Sequence, residues 1–390
     1  MKRKLNLDYI SIQVIFYLMM SVMCGYGAYL LLSIGYTSTA TGILMSLGSI
    51  LSLILQPIAA ELADNSKRLN IFKLTIIISY ASLITSIIAY FQRNVSLLTS
   101  ATFVALNGIY CTLEPLNNSI PDIFQQHGYG VEFGVGRAFG SLSYAVIAIV
   151  MGFLTSKFPY TVVLVLDIIS SILLVVVYTI TNKHYNSLPA IEETTVKEER
   201  ISFSEFLKRH KTFSLLSLAL AGIYFGFTLS DNLIVLVINN LNGSTKDMGL
   251  IMGIKAFLEV PVIFLYDKIE AKFSTNSLLR LAACAFTLKA LLFYLAKSTS
   301  LIYLAQLTQP FSLALMIPSL VSYTNKIMDK KEAVRGQALY IMAITIASTL
   351  SSSVGGKLAD VYSVSTMLLV GLIVSIISTV CFCLLVNKKD

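Results

Sequence analysis

Charged side chains inside long apolar stretches are the residues of this sequence that could do chemistry. Arg137 lies where a polar loop, residues 131–136, leads into an apolar run, and Tyr144 follows seven residues later. In a helix these two side chains share one face, two turns apart. An arginine inside a membrane helix costs about 2.5–3.5 kcal/mol on insertion scales, so it usually faces a water-filled interior and has a function. Snorkelling of Arg137 to the headgroups is the alternative.

Four more charges occupy the middle of apolar segments in the second half of the chain: Asp231, Lys255, Glu259 and Lys289. Lone charges are disfavoured there, so we expect these to neutralise one another. Lys255 and Glu259 are four residues apart and can pair on one helix face. A carboxylate that takes up a proton when desolvated, and releases it when a lysine approaches, can couple transport to protons. Glu259 is our first choice for that role, and a fixed ion pair between helices is the alternative.

Three other residues belong with these groups. Glu114 precedes Pro115 in an apolar segment, could line a cavity in the first half, and is a further candidate for proton coupling with Glu259, Asp231, Lys255 and Lys289. Tyr26 and Tyr29 lie in the first apolar segment, in the sequence CGYGAY. The small residues around the tyrosines permit close helix packing. The two rings therefore either reach a central cavity or belong to a packing seam.

The elements that must position these residues are membrane helices. Of the 390 residues, 56% are hydrophobic and 13% are charged, which is far from the composition of soluble domains. Twelve apolar runs are long enough to cross a bilayer of about 30 Å. They lie at about 10–33, 41–62, 71–91, 97–119, 134–156, 160–181, 213–240, 247–267, 277–296, 300–325, 336–358 and 364–386. The first run is longer than a signal-peptide core and has no cleavage site after it, so we expect it to be retained.

The charged segment 182–212 divides these runs into two sets of six. The sequence predicts an N-terminal bundle over 1–181, a linker over 182–212 with a short amphipathic helix at 202–210, and a C-terminal bundle over 213–390. Most lysines and arginines fall at the termini, in the linker, and in the loops after the second, eighth and tenth runs. This pattern predicts that both termini and the linker are cytoplasmic.

Several classes of protein are excluded. The net charge of +8 comes from basic residues at helix ends and not from one stripe with aromatics, so we expect no nucleic-acid partner. The five cysteines lie in apolar segments without metal-ligand spacing, and we interpret them as small buried hydrophobes with no metal site. We find no phosphate-binding loop and no nucleophile elbow, so we expect no enzyme activity.

The two halves resemble each other, because GRA at 136–138 and RGQ at 335–337 each open the fifth run of a half. Such weak internal symmetry is typical of duplicated transporters. With the loops ELADNSKR at 61–68 and YDK at 266–268, the chain resembles the major facilitator superfamily over its full length. Within it, EFGVGRAFG at 132–140 and EVP at 259–261 are similar to the oligosaccharide/proton symporters, the lactose permease branch.

This resemblance implies roles for individual residues. Arg137 matches an arginine that binds sugar hydroxyls, and Tyr144 takes the place of a tryptophan that stacks on the sugar, although ordinary packing of Tyr144 is the alternative. Asn118 stands near the position of a sugar-binding carboxylate. Asp231 and Lys289 match an aspartate and an arginine of the second bundle.

Further roles are implied at the ends of helices. The loop residues Asp64, Arg68 and Asp267 would act as cytoplasmic latches in gating. Leu313 and Met316 stand where the permease has a histidine and a glutamate, so galactoside specificity and the same proton route are not expected.

Together these features predict an all-α membrane protein. We expect it to be a secondary transporter that works by alternating access and binds its solute near the middle of the membrane. We expect proton symport of a sugar, an oligosaccharide or a similar small organic solute, driven by the proton gradient without a cofactor, with aromatic acids or nucleosides as the next choice of solute. A drug or metabolite antiporter and a non-transporting solute sensor are the alternatives. We expect a monomer in a bacterial cell membrane, with the solute, protons and lipids as its partners.

Overall fold

The computed structural model describes residues 1–65, 70–189 and 203–386. Within these ranges the chain is helical throughout, without a β-strand. The helices form two compact units, Met1–Ile191 with Gly243–Phe257, and Glu192–Asn242 with Leu258–Asp390. The predicted limits of the two bundles, at 181 and 213, stay a prediction.

The first unit contains seven whole helices, with a π-helical segment, Ser21–Gly25, between the first two. They are α1 (Lys2–Met20), α2 (Tyr26–Ile34), α3 (Ser38–Asn65), α4 (Ile71–Tyr90), α5 (Leu97–Gln126), α6 (Phe133–Lys157) and α7 (Thr161–Tyr185).

The second unit contains the remaining helices, together with the second half of α11, whose first half belongs to the first unit. They are α8 (Phe203–Arg209), α9 (Lys211–Asn232), α10 (Ile234–Asn240), α11 (Thr245–Glu270), α12 (Thr275–Leu295), α13 (Thr299–Ala305), α14 (Leu313–Ile327), α15 (Lys330–Val361) and α16 (Val364–Leu385). The short helix α8 lies where the linker was predicted to be amphipathic.

Side-chain caps fix the start of several helices. Asn70, Ser96, Ser274 and Ser363 each accept a hydrogen bond from the backbone N–H three residues later. Each cap satisfies one of the backbone donors that the first turn leaves unpaired, which contributes about 1 kcal/mol. The helices therefore begin where polar residues precede apolar runs.

Among the described residues, eleven helical segments are long and apolar enough to cross a membrane. The other predicted run is α5, which has 30 residues but carries more polar side chains, such as Glu114 and Asp122. Large apolar side chains are exposed along the helices, for example Leu97 at 88% and Leu218 at 68%. Exposed apolar surface on this scale fits contact with lipid.

Three of the predicted runs are interrupted in the structure. The first contains the π-helical segment, the seventh breaks at Leu233, and the tenth contains a 3₁₀ segment, Gln306–Phe311, that ends at Ser312. Pro310 explains the last break, because a proline removes a helical hydrogen bond and its ring clashes with the preceding turn. Breaks of this kind leave backbone and polar side chains available inside a membrane protein.

Candidate functional site

Arg137 lies one turn inside α6, between a carboxylate and an aromatic ring. Its Nη1 is 3.5 Å from Glu114 Oε1 on α5, and its Cζ lies 4.6 Å from the centre of the Tyr17 ring on α1. The side chains of Arg137 and Glu114 are 33% and 39% exposed. The Arg137 guanidinium is thus held by the Glu114 carboxylate and the face of the Tyr17 ring, while its N–H donors are still accessible to a polar solute.

Two glycines on α6 allow this arrangement. A Cβ at Gly140 would lie 2.6 Å from the Tyr17 ring, and a Cβ at Gly136 would lie 2.4 Å from the Tyr9 ring. Both aromatic side chains of α1 therefore pack directly against the backbone of α6. The absence of side chains at these glycines sets the position of the Tyr17 ring beside Arg137.

Tyr144 is half-buried two turns further along α6. Its carbonyl oxygen accepts a hydrogen bond from Ser21 Oγ at 3.2 Å, and its hydroxyl lies against Gly25, where an added Cβ would be 3.3 Å away. The structure thus places Tyr144 beside the π-helical segment. Its predicted stacking on a solute stays a prediction.

The two tyrosines of the first run differ in their surroundings. Tyr26 is fully buried and donates a hydrogen bond to the carbonyl of Ala148 at 2.8 Å. Tyr29 is half-buried, meets the Tyr26 ring edge-on, and lies 3.5 Å from the carbonyl of Thr155. In this structure Tyr26 is buried and joins α2 to α6, and the predicted role of both tyrosines at the solute site stays a prediction.

Asn118 lies one turn beyond Glu114 on α5 and is half-buried, so it shares a face with Glu114. Its neighbour Asn117 is fully buried, and its Oδ1 accepts a hydrogen bond of 2.6 Å from the hydroxyl of Tyr178. Asn117 therefore joins α5 to α7, while Asn118 is available on the side of Glu114.

The second unit contains a chain of hydrogen bonds through a buried amide. Lys289 Nζ donates to Gln309 Oε1 at 2.5 Å, and Gln309 Nε2 donates to Glu259 Oε1 at 2.6 Å. Lys289 is 3% exposed and Gln309 is fully buried, and the ammonium lies 5.1 Å from the centre of the Phe227 ring. An ammonium only donates hydrogen bonds and a carboxylate only accepts them. The amide oxygen of Gln309 must therefore face Lys289, and its NH₂ group must face Glu259.

Gln309 was missed by sequence reasoning because it is neutral. It lies in the 3₁₀ segment immediately before Pro310, three residues after another buried amide, Gln306. Two glutamines next to a proline in an apolar run are the signal that could have identified it. Leu313 and Met316, the apolar residues that stand where the permease has a histidine and a glutamate, lie in α14 beyond the break.

Asp231 and Lys255 are the other charges of the second half, and they lie in α9 and α11. Asp231 is half-buried in the last turn of α9, next to Asn232, which donates to the hydroxyls of Ser348 and Ser352. Lys255 is half-buried, one turn before Glu259, in the part of α11 that belongs to the first unit. The structure thus joins Glu259 and Lys289 through Gln309.

The predicted latch residues are only partly described. Asp64 falls in the last turn of α3, and Asp267 is exposed near the end of α11. Arg68 lies outside the described residues. The gating role of all three stays a prediction.

A further buried carboxylate, Asp167 on α7, ties three helices of the first unit together. It is fully buried and accepts hydrogen bonds of 2.7 Å from Tyr110 on α5 and from Ser86 on α4. Hydrogen bonds to a charged group typically contribute about 1.5–3 kcal/mol each. We interpret Asp167 as a structural residue of the first unit.

The cysteines are not buried as predicted. Cys24, Cys111 and Cys383 are half-buried, and Cys284 and Cys381 are exposed. Hydropathy does not show whether a cysteine of a membrane helix lies on a buried or an exposed face, because both kinds of face are apolar.

Comparisons with known proteins agree with this architecture. Over 357 residues, 90% of this chain and 87% of the relative, the chain is 22% identical to a maltose permease of Geobacillus stearothermophilus. It is 24% identical to the uncharacterised transporter YwbF of Bacillus subtilis (strain 168) over 348 residues, 87% of this chain and 83% of that protein. The structure is similar to that of a mutant of the nucleoside transporter NupG, with a TM-score of 0.81, 14% identity, and coverage of 98% of this chain and 100% of that chain.

The structural likeness confirms the predicted all-α membrane fold of the major facilitator type. The family model described as the MFS_1 like family matches residues 9–370, which is nearly the whole chain. The chain therefore belongs to the MFS_1-like family of the major facilitator superfamily of transporters.

Proposed function

We propose that this chain is a proton-coupled symporter for a sugar or an oligosaccharide, which it moves across the cell membrane by alternating access. The single observation that carries the proposal is the half-exposed guanidinium of Arg137, held over Tyr17 and against Glu114. A planar fork of donors beside a carboxylate acceptor is suited to neighbouring hydroxyl groups of a sugar.

One relative supports a sugar as the solute. The maltose permease aligns with most of this chain. An aromatic ring is also at hand, because Tyr144 is half-buried on α6, the helix that carries Arg137. An aromatic face packs well on the apolar face of a sugar ring.

Replacing Arg137 by lysine tests the solute site. Lysine keeps the charge but lacks the planar pair of donors. We expect uptake of labelled maltose and related oligosaccharides into proteoliposomes to fall about 10- to 100-fold, the loss of one charge-assisted hydrogen bond. Arg93→Lys is the matched control, because Arg93 is exposed and lies over the Tyr90 ring outside this cluster. Equal uptake by the wild type and Arg137→Lys would contradict the proposed site.

Proton coupling is assigned to Glu259. Its carboxylate accepts a hydrogen bond from Gln309, and the same amide accepts one from the buried ammonium of Lys289. A carboxylate held in this way can be neutralised by a proton without leaving an unpaired amide, because the amide still donates to it. This arrangement supports a site that is alternately charged and neutral.

Replacing Glu259 by glutamine separates coupling from solute movement. We expect Glu259→Gln to lose at least about 10-fold in the accumulation driven by an imposed pH gradient, while solute exchange at equal pH is retained. Asp247→Asn is the control on the same helix, since Asp247 accepts hydrogen bonds from Ser244 at the start of α11, about three turns before Glu259. Normal pH-driven accumulation by Glu259→Gln would remove Glu259 from the coupling role.

A further inference from the structure

Three sulfur atoms gather at the π-helical segment of the first unit. Cys24, within that segment, has its Sγ 3.6 Å from Met20 Sδ and 3.8 Å from Asn107 Oδ1. Cys111 on α5 has its Sγ 3.6 Å from the same Asn107 oxygen. Both thiols thus contact the same amide oxygen, and the Met20 thioether contacts one of them.

The group is held in place by its surroundings. Asn107 Nδ2 donates to the carbonyl of Met45 at 3.1 Å, and the side chain packs against Gly48, where a Cβ would lie 2.6 Å from that nitrogen. The amide oxygen is therefore fixed toward the sulfurs. The π-helical segment places Cys24 out of ordinary α-helical register, and such segments are frequent at functional sites.

The chemistry of these donors is that of a soft metal ion. Thiolate and thioether sulfurs select copper(I) and similar ions over ions that prefer oxygen. A metal ion about 2.3 Å from each sulfur holds two sulfurs up to about 4.6 Å apart, and the 3.6 Å between Cys24 and Met20 falls within that distance. Both cysteines are half-buried, and Cys111 lies one turn from Glu114 on α5, so the group borders the proposed solute site.

We propose that Cys24, Cys111 and Met20 form a binding site for a soft monovalent metal ion of the copper(I) type. Each thiol releases its proton to water as the ion binds, and the thioether completes three-coordinate sulfur ligation. The site uses helices far apart in sequence, which is why the spacing of cysteines gave no sign of it. Binding does not depend on transport, so its test is independent of the proposed function.

Silver(I) is the probe, because it is soft and is not oxidised or reduced during the measurement. A variant with Cys284, Cys381 and Cys383 replaced by alanine keeps only the Cys24 and Cys111 thiols. We expect this variant to bind one silver ion per chain by native mass spectrometry, in competition with a thiol buffer. Removing either thiol, by Cys24→Ser or Cys111→Ser, should weaken binding about 100-fold, and Met20→Leu about 10-fold, since linked ligands act at high effective concentration.

The matched control keeps Cys284 and Cys383, which lie on the neighbouring helices α12 and α16, and replaces the other three cysteines by alanine. We expect it to bind silver at least about 10-fold more weakly, because Met20 and the fixed Asn107 are absent from that pair. Equal affinity of the two pairs would overturn the proposal. X-ray absorption of the copper(I) form provides a second measurement: sulfur-only neighbours support the site, and nitrogen or oxygen neighbours in their place overturn it.

Discussion

At the scale of single residues, a charged side chain is easy to identify as functional in an apolar sequence, whereas a neutral polar side chain is not. Arg137, Glu259 and Lys289 are conspicuous because each is costly in a membrane helix. The structure brings the last two together, and it does so through Gln309, whose uncharged amide draws no notice in an apolar run. A contact between helices that are 20 or 50 residues apart cannot be inferred from spacing.

Replacing Gln309 by leucine tests the importance of this amide. The change leaves the buried ammonium of Lys289 and the carboxylate of Glu259 each without one hydrogen bond, which should cost about 2–4 kcal/mol of stability. We expect a lower unfolding temperature in detergent and a strong loss of pH-driven uptake. Gln306→Leu is the matched control three residues earlier, because Gln306 bonds only the carbonyl of Ile302 and its own oxygen has no partner. Equal losses in both variants would show that any buried glutamine of this segment matters.

At the scale of helices, length and apolar composition predict nearly every element, while proline alone does not predict the breaks, since Pro57, Pro115 and Pro261 lie inside continuous helices. Pro310 accounts for the 3₁₀ segment before Ser312. The π-helical segment Ser21–Gly25 and the break at Leu233 have no such residue, because each depends on how neighbouring helices pack. The cysteine pair Cys24 and Cys111 was missed for the same reason.

The packing of α1 on α6 gives a prediction at this scale. In Gly140→Ala the added methyl would overlap the Tyr17 ring, so the ring must move away from Arg137. We expect solute affinity to fall about 10-fold, measured by concentration-dependent uptake, while the protein still folds. Gly134→Ala, on the same helix, meets nothing within 4 Å and is the control. Unchanged affinity in Gly140→Ala would mean that the Tyr17 ring does not orient Arg137 for binding.

At the scale of the whole molecule, the fold follows from properties that the sequence displays openly. Apolar runs, a charged linker segment and two similar halves indicated the major facilitator superfamily, and the family match over residues 9–370 confirms it. The identity of the solute is different in kind. It depends on a few side chains, such as Arg137 and Asn118. The hydropathy pattern does not reveal which solute these side chains contact.

The orientation of the chain in the membrane is the remaining whole-molecule prediction. Lysines and arginines are concentrated at the termini, in the linker and in one set of loops, and that side should face the cytoplasm. Asn94, between α4 and α5, should then be outside, and Lys208 in α8 inside, and both residues are exposed. In a cysteine-free background, a membrane-impermeant maleimide should label Asn94→Cys on intact cells and Lys208→Cys only after permeabilisation. The reverse pattern would invert the topology and, with it, the direction in which the proton gradient drives solute movement.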